Sequence, residues 1–160
     1  MQAAPQKEHL WLQRLVGDWV TEMEASMGPD TAPAKHRGSE RVHSIGGLWI
    51  QCEGTGEMPG GDTATMLMTL GYDPQKRRFV GTWLGSMMTH LWIYEGQLDE
   101  SERVLTLNAE GPTMRGDGTM AKYQDIIEIV SDTERSLTSR QLQPDGSWKQ
   151  FMTARYRRKS

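Results

Sequence analysis

Asp18-Trp19-Val20-Thr21-Glu22-Met23-Glu24-Ala25-Ser26-Met27 is the stretch that decides the fold. Trp19, Thr21, Met23, Ala25 and Met27 fall on one side of an extended chain, and Asp18, Glu22, Glu24 and Ser26 on the other, with Val20 the exception. Strict alternation of this kind is the signature of a strand with one buried and one wet face. Ten such stretches, rich in Val, Ile, Thr, Trp, Tyr and Leu, follow one another from Gly17 to Arg158, each closed by Gly, Pro or Asp. The clearest closures are Gly46-Gly47, Pro59-Gly60-Gly61, Asp73-Pro74-Gln75-Lys76 and Pro144-Asp145-Gly146-Ser147, all matched to tight turns. Between Ser86 and Thr89 no turn signal separates the fifth stretch, Arg78 to Met88, from the sixth, Thr89 to Leu98.

An antiparallel array has two edges to hide, and wrapping into a barrel removes both. The expected fold is therefore all-β, an antiparallel barrel of about ten strands, wide enough to leave an interior cavity. One helix precedes it, over residues 6–16, where Leu10, Trp11 and Leu15 share a side and Gly17 ends the run. With no linker, low-complexity tract or fixed-period repeat, residues 1–160 read as a single domain.

Composition narrows the classes. Net charge is −3 with both signs spread along the chain. Arg155, Arg157, Arg158 and Lys159 form one basic run without a second to extend a phosphate track, so no nucleic-acid partner is expected. No apolar run approaches the ~20 residues of a spanning helix and no secretory leader is evident. No membrane partner is expected, and the expected location is cytoplasmic. The single cysteine, Cys52, leaves no internal disulfide and no cysteine-based zinc site. Eleven Met against two Phe favour adaptable packing, whether in a core or around a ligand.

Leu15-Val16-Gly17-Asp18-Trp19 resembles the Gly-x-Trp start of calycin barrels, in which a short helix leads into the first strand. The last strand carries Tyr156, Arg157 and Arg158, where such barrels place a basic residue against that Trp. Face alternation with Met152, Ala154 and Tyr156 favours Arg158 over Arg157 as the partner of Trp19. A longer ordered string is similar to the bacterial domain-of-unknown-function family 1579. It comprises Gly46-Gly47-Leu48-Trp49, Leu70-Gly71-Tyr72-Asp73-Pro74, Gly81-Thr82-Trp83 with Ser86-Met87-Met88, and Met152-Thr153-Ala154-Arg155-Tyr156-Arg157-Arg158. That resemblance implies a lipocalin-like (calycin) barrel and supplies no activity, substrate or catalytic set.

The candidate site residues follow from strand faces. His90, Trp92 and Tyr94 fall on one face, with Trp83, Met87 and Met88 nearby. If that face is interior, aromatic walls and an imidazole line a pocket; the alternative is plain core packing. Trp49, Gln51 and Glu53 share another face, and an inward Glu53 would be a ligand anchor or a general base. Glu57 poses the same question nearer a loop. The leading expectation is a barrel binding a small hydrophobic or aromatic molecule. Trp49, Met66, Met68, Trp83, Trp92 and Tyr94 would supply apolar contact, and His90, Glu53 or Tyr123 would orient the molecule. A small enzyme using Glu53 and His90 for acid–base chemistry is the second reading, and a protein-interaction module the third. A homodimer remains open.

No cofactor or metal is expected. The four histidines, His9, His36, His43 and His90, raise haem as an alternative, but none pairs with another at short ligand spacing on a helix. Gly85-Ser86-Met87 is not a nucleophile elbow, and Gly54-x-Gly56 and Gly116-x-Gly118 lack the strand-to-helix setting of phosphate loops. The first pair reads as a strand irregularity.

Overall fold

The sheet has no edges because its first and last strands pair. In the computed structural model, which describes residues 2–26, 34–58 and 60–159, a short helix α1 (Lys7–Gln13) is followed by ten strands. They are β1 (Gly17–Ala25), β2 (Ala34–Ile45), β3 (Trp49–Glu57), β4 (Thr63–Asp73), β5 (Arg78–Gly85), β6 (Trp92–Leu98), β7 (Val104–Pro112), β8 (Met120–Ile129), β9 (Glu134–Leu142) and β10 (Trp148–Arg158). Each strand is antiparallel to its sequence neighbour, and β10 returns to β1 to close the barrel. Met27, Gly28-Pro29 and Pro33, read from the sequence as a strand end and loop, lie outside the described residues, as does Pro59.

Turn chemistry sets the joints. Gly46 and Gly47 both take positive φ, 64° and 76°, which only glycine adopts without strain. Asp73 Oδ1 accepts the Gln75 N–H at 2.9 Å, and Asp145 Oδ1 accepts that of Ser147 at 2.9 Å, so each carboxylate ties its own turn. The unsignalled boundary after β5 is a six-residue connection, 86–91, rather than a direct passage. Ser86 N–H reaches back to Thr65 O at 2.8 Å, and Met88 N–H to Gly85 O at 3.2 Å. In β10 the register slips between Gln150 and Met152, a bulge that changes which side chains face inward.

The seam is held by Trp19. It pairs with Arg158 in register, and the Arg158 guanidinium carbon lies 4.2 Å from the indole centroid. Arg158 also donates to three carbonyls: Val16 O at 2.6 Å, Arg14 O at 2.9 Å and Asp132 O at 2.9 Å. Trp19 Nε1 donates to Leu15 O at 2.9 Å. A second guanidinium, that of Arg135 on β9, lies 4.6 Å from Trp19 and 3.9 Å from the Tyr156 ring, and it pairs with Glu40 of β2. Arg135 is 4% exposed. This pair ties β9 to β2 through the barrel interior beside the seam.

Helix α1 plugs the adjacent end. Seven residues are too few for a stable isolated helix. Docking sustains it: Leu12 and Leu15 are 0% and 2% exposed, each contributing about 1.5–3 kcal/mol by burial. Trp11 Nε1 donates to Glu102 O at 2.6 Å. Leu10, expected on the packed side, faces solvent instead: Leu12 with Trp11 and Leu15 forms the docked face, and Leu10 lies about 200° round the helix from Leu12.

Arg158→Ala removes the stacked cation and leaves three carbonyls without their donor. Urea denaturation is expected to show a loss of about 2–4 kcal/mol, with Arg158→Lys recovering only part because one ammonium lacks the planar fork.

Candidate functional site

Alternation and register together assign every strand a wet and an inner face. On β3 the inner residues are Ile50, Cys52, Gly54 and Gly56, paired across to the inner Leu70, Met68, Met66 and Ala64 of β4. Trp49 and Glu53 therefore point outward, which removes both from the candidate ligand contacts, and Glu57, whose side was open in the sequence, points outward too. Trp49 is 40% exposed and lies over Gly71 of β4, where any Cβ would collide with its ring. That lateral berth on the outer wall is why the largest side chain of the strand is outside. Gly54 and Gly56 sit in unbroken register rather than at an irregularity.

The remaining candidates face in or stand at the rim. Met66, Met68, Trp83, Trp92, Tyr94 and Tyr123 all occupy inward positions. His90 lies off the strand, in the 86–91 connection. Its Nε2–H donates to Glu110 O at 2.9 Å and its ring meets Trp92 edge-to-face at 4.8 Å. Trp92 meets Tyr123 at 4.9 Å, and Tyr123 meets Phe151 at 5.9 Å, both nearly perpendicular. Tyr123 OH donates to Pro112 O at 2.6 Å. These contacts make a continuous aromatic wall at the end of the barrel opposite α1. Glu53 outside the barrel and His90 at its rim cannot form the acid–base pair considered above. Of the four histidines, His36 faces inward, His43 outward, and His9 accepts the Gln6 N–H at the start of α1.

The two halves of the tube are filled differently. Toward α1, Ile50, Leu70, Leu105 and Leu107 are 0% exposed. Toward the other end, Thr21, Met23, His36, Met66, Trp83, Trp92 and Met152 also point inward yet keep accessible surface. Small residues line the facing wall: Gly38, Gly54, Gly56 and Ala64. The inward side chains of this half thus keep more accessible surface than those beside α1, although Gly54 and Ala64 on the facing wall are buried. At its rim the 86–91 connection exposes Met87, Met88 and Leu91, and Leu84 and Ile93 are exposed on the adjoining outer wall. A concavity of about 490 Å³ lies at the other end, against the seam, where the Arg158 donors are already taken by carbonyls.

Deep in the tube sits a polar group that the sequence reading passed over. Asp125 of β8 accepts a hydrogen bond from Ser139 Oγ at 2.6 Å on Oδ1 and one from Tyr94 OH on Oδ2. It retains accessible surface, although its inward neighbours Leu107 and Ile127 have almost none. Burial pushes its carboxyl above the ordinary carboxylate range, against the lowering pull of the Ser139 and Tyr94 hydroxyls. Burial, reinforced by the Asp125 charge, likewise raises the Tyr94 phenol. Cys52 is buried and its thiol is pushed far up, mainly by desolvation and then by Glu40, which disfavours the thiolate that a nucleophile requires. No cluster of three metal-ligating side chains occurs among the described residues. The signal for Asp125 was present: it alternates with Tyr123, Ile127 and Ile129, on the apolar phase of its strand.

A family model for a protein of unknown function, DUF1579, matches residues 4–158. The chain belongs to that family. No curated protein matches it. Among solved structures, Rv2717c from M. tuberculosis is similar over 98% of this chain and 100% of its own, with TM-score 0.63 and 12% identity. EF1p2_mFAP2b bound to DFHBI is similar over 95% and 99%, with TM-score 0.51 and 12% identity. A de novo designed fluorescence-activating β-barrel is similar over 92% and 95%, with TM-score 0.50 and 14% identity. At these identities the likeness is one of fold.

The Asp125 shift has a sign. The native state holds this proton to higher pH than the unfolded chain, so its contribution to stability is full below the unfolded value near pH 4 and is lost as pH rises through the native one. In paired urea titrations, the native protein should therefore lose stability relative to Asp125→Asn as pH is raised above about 4. A pH-independent difference would contradict this.

Proposed function

We propose that this barrel binds a small, largely apolar molecule in the half of its interior away from α1. The observation that carries the reading is the contrast between the sealed helix end and the accessible inner face at the other. Trp83, Trp92, Tyr123, Met66 and Met68 supply a broad, polarizable contact surface, and Tyr94, Asp125 and Ser139 supply a few fixed polar groups. That mixture is typical of small-molecule sites. The exposed apolar rim gives such a molecule a compatible approach. EF1p2_mFAP2b, of the same general fold, holds DFHBI, which supports the idea that a tube of this kind has room for a compact organic molecule.

Gly54 and Gly56 offer a direct test. A Cβ at either position meets nothing closer than the Met66 methyl, at 3.6 and 3.7 Å, and neither glycine has positive φ. A larger side chain there would occupy the hollow without straining the strand. With Nile red as probe, the native protein should give saturable, blue-shifted emission, and Gly56→Phe should weaken binding at least about tenfold with its thermal midpoint unchanged or raised. Equal binding by the plugged variant, or no binding by either, would refute the reading.

A further inference from the structure

We infer that the hollow is selective for an organic amine, whose ammonium pairs with Asp125 while its apolar body lies along the wall of Trp83, Trp92 and Tyr123. This rests on the binding reading above and specifies its ligand class. Charge decides the class. Among the described residues, Glu40, Arg135 and Arg158 also reach into the tube and are already engaged, although Arg135 Nε keeps no hydrogen-bond partner, while His36 and Lys149 take inward register positions toward the mouth. Glu40 and Arg135 neutralise one another, and Arg158 is held by three carbonyls and the Trp19 ring. Asp125 has no cationic partner among the described residues; its two hydrogen bonds come from neutral hydroxyls.

Those hydroxyls address different oxygens, an arrangement that suits an ionised carboxylate, and each oxygen keeps a further lone pair. Two neutral donors orient the charge without cancelling it, and a buried carboxylate without a counter-charge is costly. An ammonium supplies that counter-charge. The surrounding rings add attraction for a cation over an aromatic face. A ligand carboxylate or phosphate would instead face the Asp125 charge across a low-dielectric space, so the same geometry disfavours anions.

The test compares 1-naphthylmethylamine with 1-naphthalenemethanol, which share shape and differ in charge, by titration calorimetry at about pH 7. The amine should bind at least about tenfold tighter, and Asp125→Asn should bring the two within about twofold. As a check that needs no variant, the preference in the native protein should collapse toward unity as pH is lowered and Asp125 takes up a proton. Equal affinities in the native protein, or an amine preference that survives Asp125→Asn or acid, would overturn the inference while leaving small-molecule binding intact. Failure of both compounds to bind, together with an inert Nile red titration, would remove the binding reading and the inference with it.

Discussion

Closure of the sheet rests on one indole. Trp19 lies at the junction of the first and last strands, with the Arg158 guanidinium 4.2 Å from its centroid and that of Arg135 at 4.6 Å. Each cation is anchored by other parts of the chain: Arg158 by carbonyls before β1 and after β8, Arg135 by Glu40. The seam is thus tied to α1, to β2 and to the turn ahead of β9. Because stacking and hydrogen bonding use the same fixed guanidinium plane, the arrangement specifies register as well as adding energy. A barrel that closed one residue out of step would turn Trp19 toward water.

Strong packing at that end permits weak packing at the other. The leucine and isoleucine layers beside α1, with the helix itself, form a conventional core. Beyond Tyr156 and Cys52 the inner face of β3 shrinks to Gly54 and Gly56, with Gly38 of β2 and Ala64 of β4 beside the larger His36 and Met66, while β5, β6 and β8 carry Trp83, Trp92 and Tyr123. Large residues on one wall and small ones opposite leave space, whereas an even distribution would have filled it. The proposed hollow would follow from where bulk is placed around the circumference, not from a wide barrel alone.

The fold was largely legible in the sequence. Clean alternation in the first and last strands announced the seam, and the Pro144-Asp145-Gly146-Ser147 turn fixed the final hairpin. The failures were of phase. On β3, Ile50 and Cys52 marked the inner face, but Trp49 drew attention outward because its berth over Gly71 belongs to a neighbouring strand. The stretch Ser86 to Leu91 carries no Gly, Pro or Asp to mark its turn, which is held by bonds to Thr65 and Gly85. Asp125 was masked by Ile126, an apolar residue on the wet face that blurs the alternation locally. Local pattern reports strands well; which face is inner depends on pairing across the sheet.

The bulge in β10 acts as a parity device. C-terminal to it, even-numbered residues from Met152 to Arg158 point inward; N-terminal to it the assignment inverts, and Trp148 lies outside with the Arg140 guanidinium 5.0 Å from its ring. Were the strand regular, Trp148 would share the inner face and swing its indole across the barrel mouth. By absorbing one supernumerary residue the bulge keeps a tryptophan out of the doorway, so the local geometry of this strand counts as much as its composition.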